Sequence, residues 1–391
     1  MPVGFKIDNT EFDALYVRRE FFQEGNLWAW GVNGQGQLGD NTSTNRSSPV
    51  QTVAGGTNWK EISQNNGNGL NPAAAIKTDG TLWTWGYNNS GELGDNTTII
   101  RYSPIQTVAG GTNWKQVSTG HLACGAIKTD GTLWMWGFNA NGVLGDNTRT
   151  NRSSPVQTVA AGTNWKQLSF GYTTAGAIKT DGTLWTWGNN YYGALGDNTI
   201  TDKSSPVQTI AGGTNWKQVS AGIQCVSGIK TDGTLWTWGY NSHGQLGDNT
   251  TTNKSSPVQT VAGGTNWKQV STGNAGSLTS MIGGIKTDGT LWTWGRNNLG
   301  QLGDNTTSSK SSPIQTIAGG TNWKQVSTGY TYILCIKTDG TLWTWGRNDY
   351  GQLGDNTITN RSSPIQTITG GTNWKQVSSG GYQCIAIRHI S

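Results

Sequence analysis

Trp165 to Asn215 read WKQLSFGYTTAGAIKTDGTLWTWGNNYYGALGDNTITDKSSPVQTIAGGTN. Four short segments in this stretch have the character of strands. Trp165–Gly171 is a short run ending in small residues. Ala177–Thr180 leads into Asp181-Gly182, and Thr183–Trp187 follows. Asp-Gly between two such segments predicts a tight hairpin, because a two-residue turn needs positive φ. Pro206–Ile210 is the fourth segment, behind a loop rich in Ser, Asn and Asp. Four strands in 51 residues make a small antiparallel sheet. One such sheet cannot bury both of its faces alone.

The stretch is one of seven copies. Leu-Gly-Asp-Asn-Thr recurs with its carboxylates at Asp40, Asp95, Asp146, Asp197, Asp248, Asp304 and Asp355, at spacings of 55, 51, 51, 51, 56 and 51 residues. All 21 Trp belong to the repeat, two in Leu-Trp-x-Trp-Gly and one in Thr-Asn-Trp of each copy. Seven small sheets stacked radially bury one another, which predicts an all-β, seven-bladed propeller of four-stranded antiparallel blades. The first repeat strand, Leu27–Trp30, matches the third strand of a unit, and the last, Ile385–Ile387, matches the second. The two termini should therefore share one blade, which leaves no open sheet edge. This gives a propeller over 25–391 and a leader over 1–24.

Composition agrees. The 391 residues include 58 Gly and only 13% charged residues, and strong helix formers are scarce. No apolar run reaches membrane-span length. Met1–Thr10 lacks the apolar core of a secretory signal. The net charge of +5 is thinly spread, which argues against nucleic acid as a partner.

The motif Asp-Gly-Thr-Leu-Trp-Thr-Trp-Gly, then Asn-x-x-Gly-Gln-Leu-Gly, then a Pro and Trp-Lys-Gln-Val-Ser-x-Gly, resembles the regulator of chromosome condensation repeat family. The resemblance covers roughly residues 25–391 and implies a seven-bladed propeller. The founding member is a nucleotide-exchange factor that binds chromatin. That activity does not follow from the fold, and this chain has neither a basic tail nor a large insertion to act as an exchange wedge. The leader, from Phe5 through Arg18-Arg19 to Phe22, is similar to leaders of phage-encoded members. Phe12, Leu15, Tyr16 and Phe22 read as an apolar surface for docking on a larger assembly or on the disc itself.

Catalysis finds little support in the residues. His121, His243 and His389 do not recur, and His121 near Cys124 lacks a second ligand pair for zinc. The repeated Asp residues read as turn formers, and one carboxylate per loop falls short of a calcium cage. No cofactor is expected. Cys124, Cys225, Cys335 and Cys384 fall on or near second strands of different blades and read as buried free thiols. Arg46, Arg101, Arg152, Lys203, Lys254, Lys310 and Arg361 each follow a loop Asp by six residues, as a local clip or as an anion-binding ring.

The copies differ mainly on one face. Strands run alternately up and down, so the first–second and third–fourth connections share a face. That face varies between copies, holds both insertions (Gln64–Ala73 and Asn274–Gly283) and carries ten of the 11 Tyr. Tyr among Asn, Ser and Gly supplies contact area at low entropic cost. The expected binding residues are Tyr172, Tyr191, Tyr192, Tyr240, Tyr330, Tyr332, Tyr350 and Tyr382, with Phe170 and His121. The sequence thus points to a non-enzymatic attachment protein. It would meet a protein or glycan surface through this face and a larger assembly through its leader, at a virion or extracellular surface. A structural decoration protein and an intracellular exchange or signalling factor are the alternatives.

Overall fold

The computed structural model describes residues 25–64, 70–160, 162–273 and 280–389. These form 28 strands and no helix, arranged as seven four-stranded antiparallel sheets. Blades 1 to 6 span residues 59–106, 114–157, 165–208, 216–259, 267–315 and 323–366. Blade 7 is composite: Trp374–Ser379 and Gln383–His389 supply its two inner strands, Gly25–Gly31 and Arg46–Gln51 its two outer ones. Leu27 pairs with Ile387, Ala29 with Ile385 and Trp30 with Cys384, so the ring closes through the termini as the repeat phase required.

In blade 3 the strands are Trp165–Phe170, Thr174–Lys179, Leu184–Gly188 and Lys203–Gln208. The second and fourth begin three residues earlier than the sequence suggested. The hairpin also differs from the expected two-residue turn. Lys179 N–H donates to Thr183 O and Gly182 N–H to Lys179 O, both at 3.0 Å, so the loop has three residues. Gly182 alone takes positive φ, at 81°, as a three-residue hairpin with a terminal left-handed residue requires. A Cβ on Gly182 would lie 2.1 Å from Thr214 O in the connection to the next blade. The glycine therefore serves the blade seam as well as the turn.

The core lies between blades. Seven apolar clusters occupy the seven seams, each built from two adjacent blades. At one seam Ile127, Leu133 and Met135 of blade 2 meet Trp165, Leu168 and Trp187 of blade 3. The three Trp of a repeat are not equivalent. Trp165 and Trp187 are buried against each other at 6.2 Å between ring centroids. Trp187 Nε1 donates to Val143 O of the preceding blade at 2.8 Å. Trp185 is only half-buried, and the Lys179 ammonium sits 4.6 Å from its centroid and 4.8 Å from that of Trp165. Blades 1 to 6 all carry this cation over two indoles, and Arg388 takes the role in blade 7.

Candidate functional site: the axis and the variable face

The innermost strands surround the ring axis and join their neighbours by side-chain bonds. Ser63, Ser118, Ser169, Ser220, Ser271, Ser327 and Ser378 hold equivalent places. Each hydroxyl accepts a backbone N–H of the next blade at 2.9–3.0 Å, and Gln64 N–H on Ser378 closes the circle. Two residues earlier, Gln116 accepts from Leu168 N–H at 2.9 Å and donates to Leu168 O at 3.2 Å, mimicking a strand pair. Gln167, Gln218, Gln269 and Gln325 repeat the bridge. Blade 1 has Glu61 instead, which accepts from Val117 N–H at 3.3 Å. Burial pushes its carboxyl up to about 7, against the opposing pull of that bond and of Lys60 and Lys115. An axial cavity of about 110 Å³ lies towards the variable face, lined mainly by Ser and Thr from successive blades, with Gln64, Phe170 and Ala221 among them.

Aromatic side chains gather over that end of the axis. His121, Tyr172 and Tyr330 each follow the Gly that comes directly after an innermost strand. His121 stacks on Tyr172 at 4.0 Å. It is 7% exposed, and burial pushes its imidazole down to about 4, so it stays neutral at physiological pH. Burial raises the Tyr172 phenol, and the charge of an ionised Tyr330 adds to that rise. These two residues belong to blades 3 and 6, so they approach each other across the axis. Tyr382 lies 5.1 Å from Tyr330 and 4.9 Å from Tyr350. Arg347 covers the Tyr382 ring at 5.0 Å and donates to its hydroxyl at 3.1 Å. Burial pushes that phenol up to about 12, with Arg347 opposing.

A second patch lies farther out, on the third–fourth connections of blades 3 to 5. Tyr192 contacts Tyr191 edge-on at 4.7 Å and Tyr240 at 4.7 Å. Ser242 donates to the Tyr240 hydroxyl and lies 2.9 Å from His243 Nδ1. Burial and the nearby Arg296 hold His243 below its usual range. The loops presenting these rings are rigidly framed. Asn190 accepts from Leu195 N–H at 2.9 Å and donates to Asp197 at 3.1 Å. Asn198, at φ 62°, donates its N–H to Ser255 O of the next blade at 2.9 Å.

The structure separates the expected binding residues into three groups. Tyr191, at 67% exposure, and Tyr350, at 40%, are open, and Tyr172, Tyr192, Tyr240 and Tyr382 are half-buried beside them. His121 and Tyr330 are largely enclosed in the axial cluster. Phe170 and Tyr332 are interior, which corrects their placing on the face. Phe170 ends an innermost strand, packs in the seam between blades 2 and 3 and borders the axial cavity. Tyr332 begins a second strand rather than ending a loop. Its buried hydroxyl donates to Gly380 O at 3.0 Å and Gln383 O at 2.8 Å. The leader and residues 65–69 and 274–279 of the insertions lie outside the described residues.

The ring of cations following the loop Asp forms the seven local clips. Arg reaches its Asp at 2.9–3.0 Å in four blades, and Lys reaches it at 3.8–3.9 Å in three. All four Cys are buried and free. Among the described residues no cluster of His, Cys, Asp and Glu is arranged for a metal, and no helix is long and apolar enough to cross a membrane.

One feature of the axis was missed in the sequence. Lys60, Lys115, Lys166, Lys217, Lys268, Lys324 and Lys375 occupy the second position of the innermost strands, at the constant-face mouth. Six are exposed and Lys375 is half-buried. The signal was the Trp-Lys pair in every copy. Its direction was hidden by a bulge between the strand's Trp and its Gln, as between Trp165 and Gln167, which breaks the alternation.

The repeat has counterparts among known proteins. A model described as RCC1-like domain matches residues 21–282, and the Regulator of chromosome condensation (RCC1) repeat matches 288–336 and 339–387. The chain belongs to this family. It is 28% identical over 341 residues to the Ultraviolet-B receptor UVR8 of Arabidopsis thaliana, a match covering 86% of this chain and 76% of the receptor. It is also 28% identical to the human E3 ubiquitin-protein ligase HERC2, with 85% of this chain matching only 7% of the ligase. The structure of Kap60 bound to yeast RCC1 (Prp20) superimposes with a TM-score of 0.81 at 16% identity, covering 100% of this chain and 95% of that one. Human WBSCR16 gives 0.79 at 18% identity, over 93% and 99%. At these identities the structures show a shared fold.

Proposed function

We propose that the protein is a non-catalytic recognition module that engages a protein surface through the aromatic side of its disc. The observation that carries this reading is the patch of Tyr191, Tyr192 and Tyr240 on adjacent blades, beside Arg296 and His243. No seam contact calls for these rings, since the framing bonds of their loops come from Asn190, Asp197 and backbone groups. Tyr and Arg on a rigid frame are the composition of interface anchors. The axial group adds Arg347 among Tyr330, Tyr350 and Tyr382. Partner binding by a relative agrees with this, since yeast RCC1 has been solved bound to Kap60.

The finer reading is attachment at a virion or extracellular surface, with residues 1–24 joining the disc to a larger assembly. It rests on the sequence of the leader. Deleting residues 1–20 should leave the melting temperature nearly unchanged and abolish incorporation into that assembly. A large drop in stability would instead mean that the leader packs on the disc.

The direct test of the face is the double variant Tyr191→Ala, Tyr192→Ala. It should fold normally and weaken binding to the native target by about 2 kcal/mol, roughly thirtyfold. Unchanged binding would remove the patch as the recognition surface. A glycan ligand would show itself by loss of binding after enzymatic deglycosylation of the target. Burial of the patch between copies of the chain in the native assembly would favour the structural decoration reading.

A further inference from the structure

The hydroxyls of the inner Ser ring are not all paired alike. Each Ser accepts a backbone N–H of the next blade, which leaves its own O–H proton to place. In four blades that proton has a neighbour. Ser63 meets the Thr119 hydroxyl at 3.3 Å, Ser271 that of Thr328 at 2.9 Å, and Ser327 that of Ser379 at 2.8 Å, while Ser378 donates to Gln64 O at 3.2 Å. Blades 2 to 4 differ. Ser118 serves Phe170 N–H and Ser169 serves Ala221 N–H, and neither of those side chains carries a hydroxyl. Ser220 serves Thr272 N–H, but the Thr272 hydroxyl is engaged by Ser227. Among the described residues no acceptor takes the protons of Ser118, Ser169 and Ser220. Three adjacent blades therefore line the axial cavity with hydroxyl donors still to be used.

Two further groups beside the cavity lack partners. Gln64 lies in its wall at 5% exposure, and among the described residues neither end of its carboxamide is hydrogen-bonded. His121 stands two residues beyond the wall residue Thr119, and its Nε2 is buried without a partner. Buried polar groups are seldom left unpaired, so their concentration here calls for an occupant. No residue of the wall is charged, and the nearby imidazole is neutral. An ion would lose its water there without meeting a counter-charge, which is costly. A hydroxyl group suits the wall better, because it accepts from a Ser proton and also donates to a carboxamide oxygen. The cavity of about 110 Å³ is several times the share of one liquid water, about 30 Å³. The electron-rich ring faces of Tyr172 and Tyr330 at this end of the axis suit the C–H groups of such a molecule. We propose that the axial cavity and its aromatic collar bind a small neutral polyol, either a free sugar or sugar alcohol or the terminal sugar of a glycan. The site is separate from the patch of Tyr191, Tyr192 and Tyr240 and stands independently of the function proposed for that patch.

The probe is xylitol, added to the full chain at about 100 mM and followed by saturation transfer from aromatic protons to its C–H groups, which reads affinities in the millimolar range. Transfer is expected, with an affinity unchanged between about 0.05 and 0.5 M salt. Ser169→Thr with Ser220→Thr keeps both hydroxyls and adds two methyl groups at the wall. It should weaken binding on the order of tenfold while the melting temperature stays nearly constant. Tyr172→Ala, which removes a ring of the collar, should also weaken binding and gives a second measurement should the first pair fail to fold. Tyr191→Ala, in the outer patch, should leave affinity unchanged. Glucose and its methyl glycoside distinguish the two sources: weaker binding of the glycoside assigns a free polyol, and equal or tighter binding assigns the end of a glycan. No transfer at all would mean that the cavity holds water alone, and overturns the proposal. So would unchanged affinity in both cavity variants, an equal loss in Tyr191→Ala, or tighter binding of gluconate than of xylitol.

Discussion

The two faces of the disc are built by the same repeat but close their seams differently. On the constant face the hairpin glycine lies against the backbone of the next connection, and the neighbouring indole stays half-open under a lysine. Towards the variable face the seam is dry: Trp187 is fully buried and hydrogen-bonded to the preceding blade. The face with the more variable sequence thus rests on the more enclosed seam. Outside the frame the sequence varies, as at Tyr191 and Tyr192, while Asn190, Gly193, Leu195 and Gly196 keep their repeat identities. Exposed residues such as Tyr191 can change on such a face because the framing bonds of the loop come from other residues.

The largest expected effect breaks this comparison at its centre. Trp187→Ala removes a buried indole and its hydrogen bond, and should destabilise by about 3–5 kcal/mol. Trp185→Ala, at the open end of the same strand, should cost about 1–2 kcal/mol, because the residue retains solvent contact and loses only partly buried packing on the seam, its bond to Thr183 and its contact with Lys179. Chemical denaturation of both variants checks the difference. Equal losses would mean that the two ends of the seam are equally packed.

A second, smaller effect concerns the two acids that replace amides of the repeat. Glu92 stands where Gln37, Gln245, Gln301 and Gln352 each accept a backbone N–H two residues earlier. Glu92 accepts the equivalent bond from Ser90 at 2.8 Å, but it is fully buried and its other oxygen has no partner. Burial pushes its carboxyl up to about 7, as it does for Glu61 on the axis. Both folded-state values lie above those of the free side chain, so the protonated acid is the favoured form inside. Stability is fully present below about pH 4.5 and falls as pH rises through about 7. Glu92→Gln should therefore stabilise by about 2–3 kcal/mol at pH 8 and by little at pH 4. Glu61→Gln should show the same sign with a smaller gain, since it keeps some access to the channel. Melting curves across pH 4–8 test this, and a pH-independent gain would show that the carboxylates are not the cause.

Much of this architecture was legible in the sequence because the repeat samples each position seven times. Blade number, strand order and the shared terminal blade follow from the phase of Leu-Trp-x-Trp-Gly alone. The clips followed from the six-residue spacing of Asp and Arg or Lys. The directions of particular side chains were less legible. Tyr332 looked like a loop aromatic because the strand start cannot be placed to the residue, and its neighbour two positions earlier, Tyr330, does lie over the axis. Phe170 and the ring lysines were hidden in the same way. The innermost strand bulges after its Trp, so counting alternate residues from that Trp assigns the wrong side. The Glu substitutions were visible as departures from Gln, but their cost depends on burial, which only packing reveals.

The smallest expected effect lies in the clips on the variable face. In Arg101 both Nε and Nη2 reach Asp95 Oδ2, at 3.1 and 2.9 Å. Lys203 brings a single ammonium to 3.9 Å from Asp197. Arg therefore offers a planar two-pronged donor where Lys offers a distant point charge. The cations are about one-third exposed, so solvent and salt screen the attraction in either case. Lys203→Arg should shorten the contact and stabilise by no more than about 0.5 kcal/mol, a gain that disappears in 1 M salt. A gain above about 1.5 kcal/mol would mean that the clip works as a buried pair. The outer loops would then be held through charge as well as through the backbone frame built on Asn190 and its equivalents.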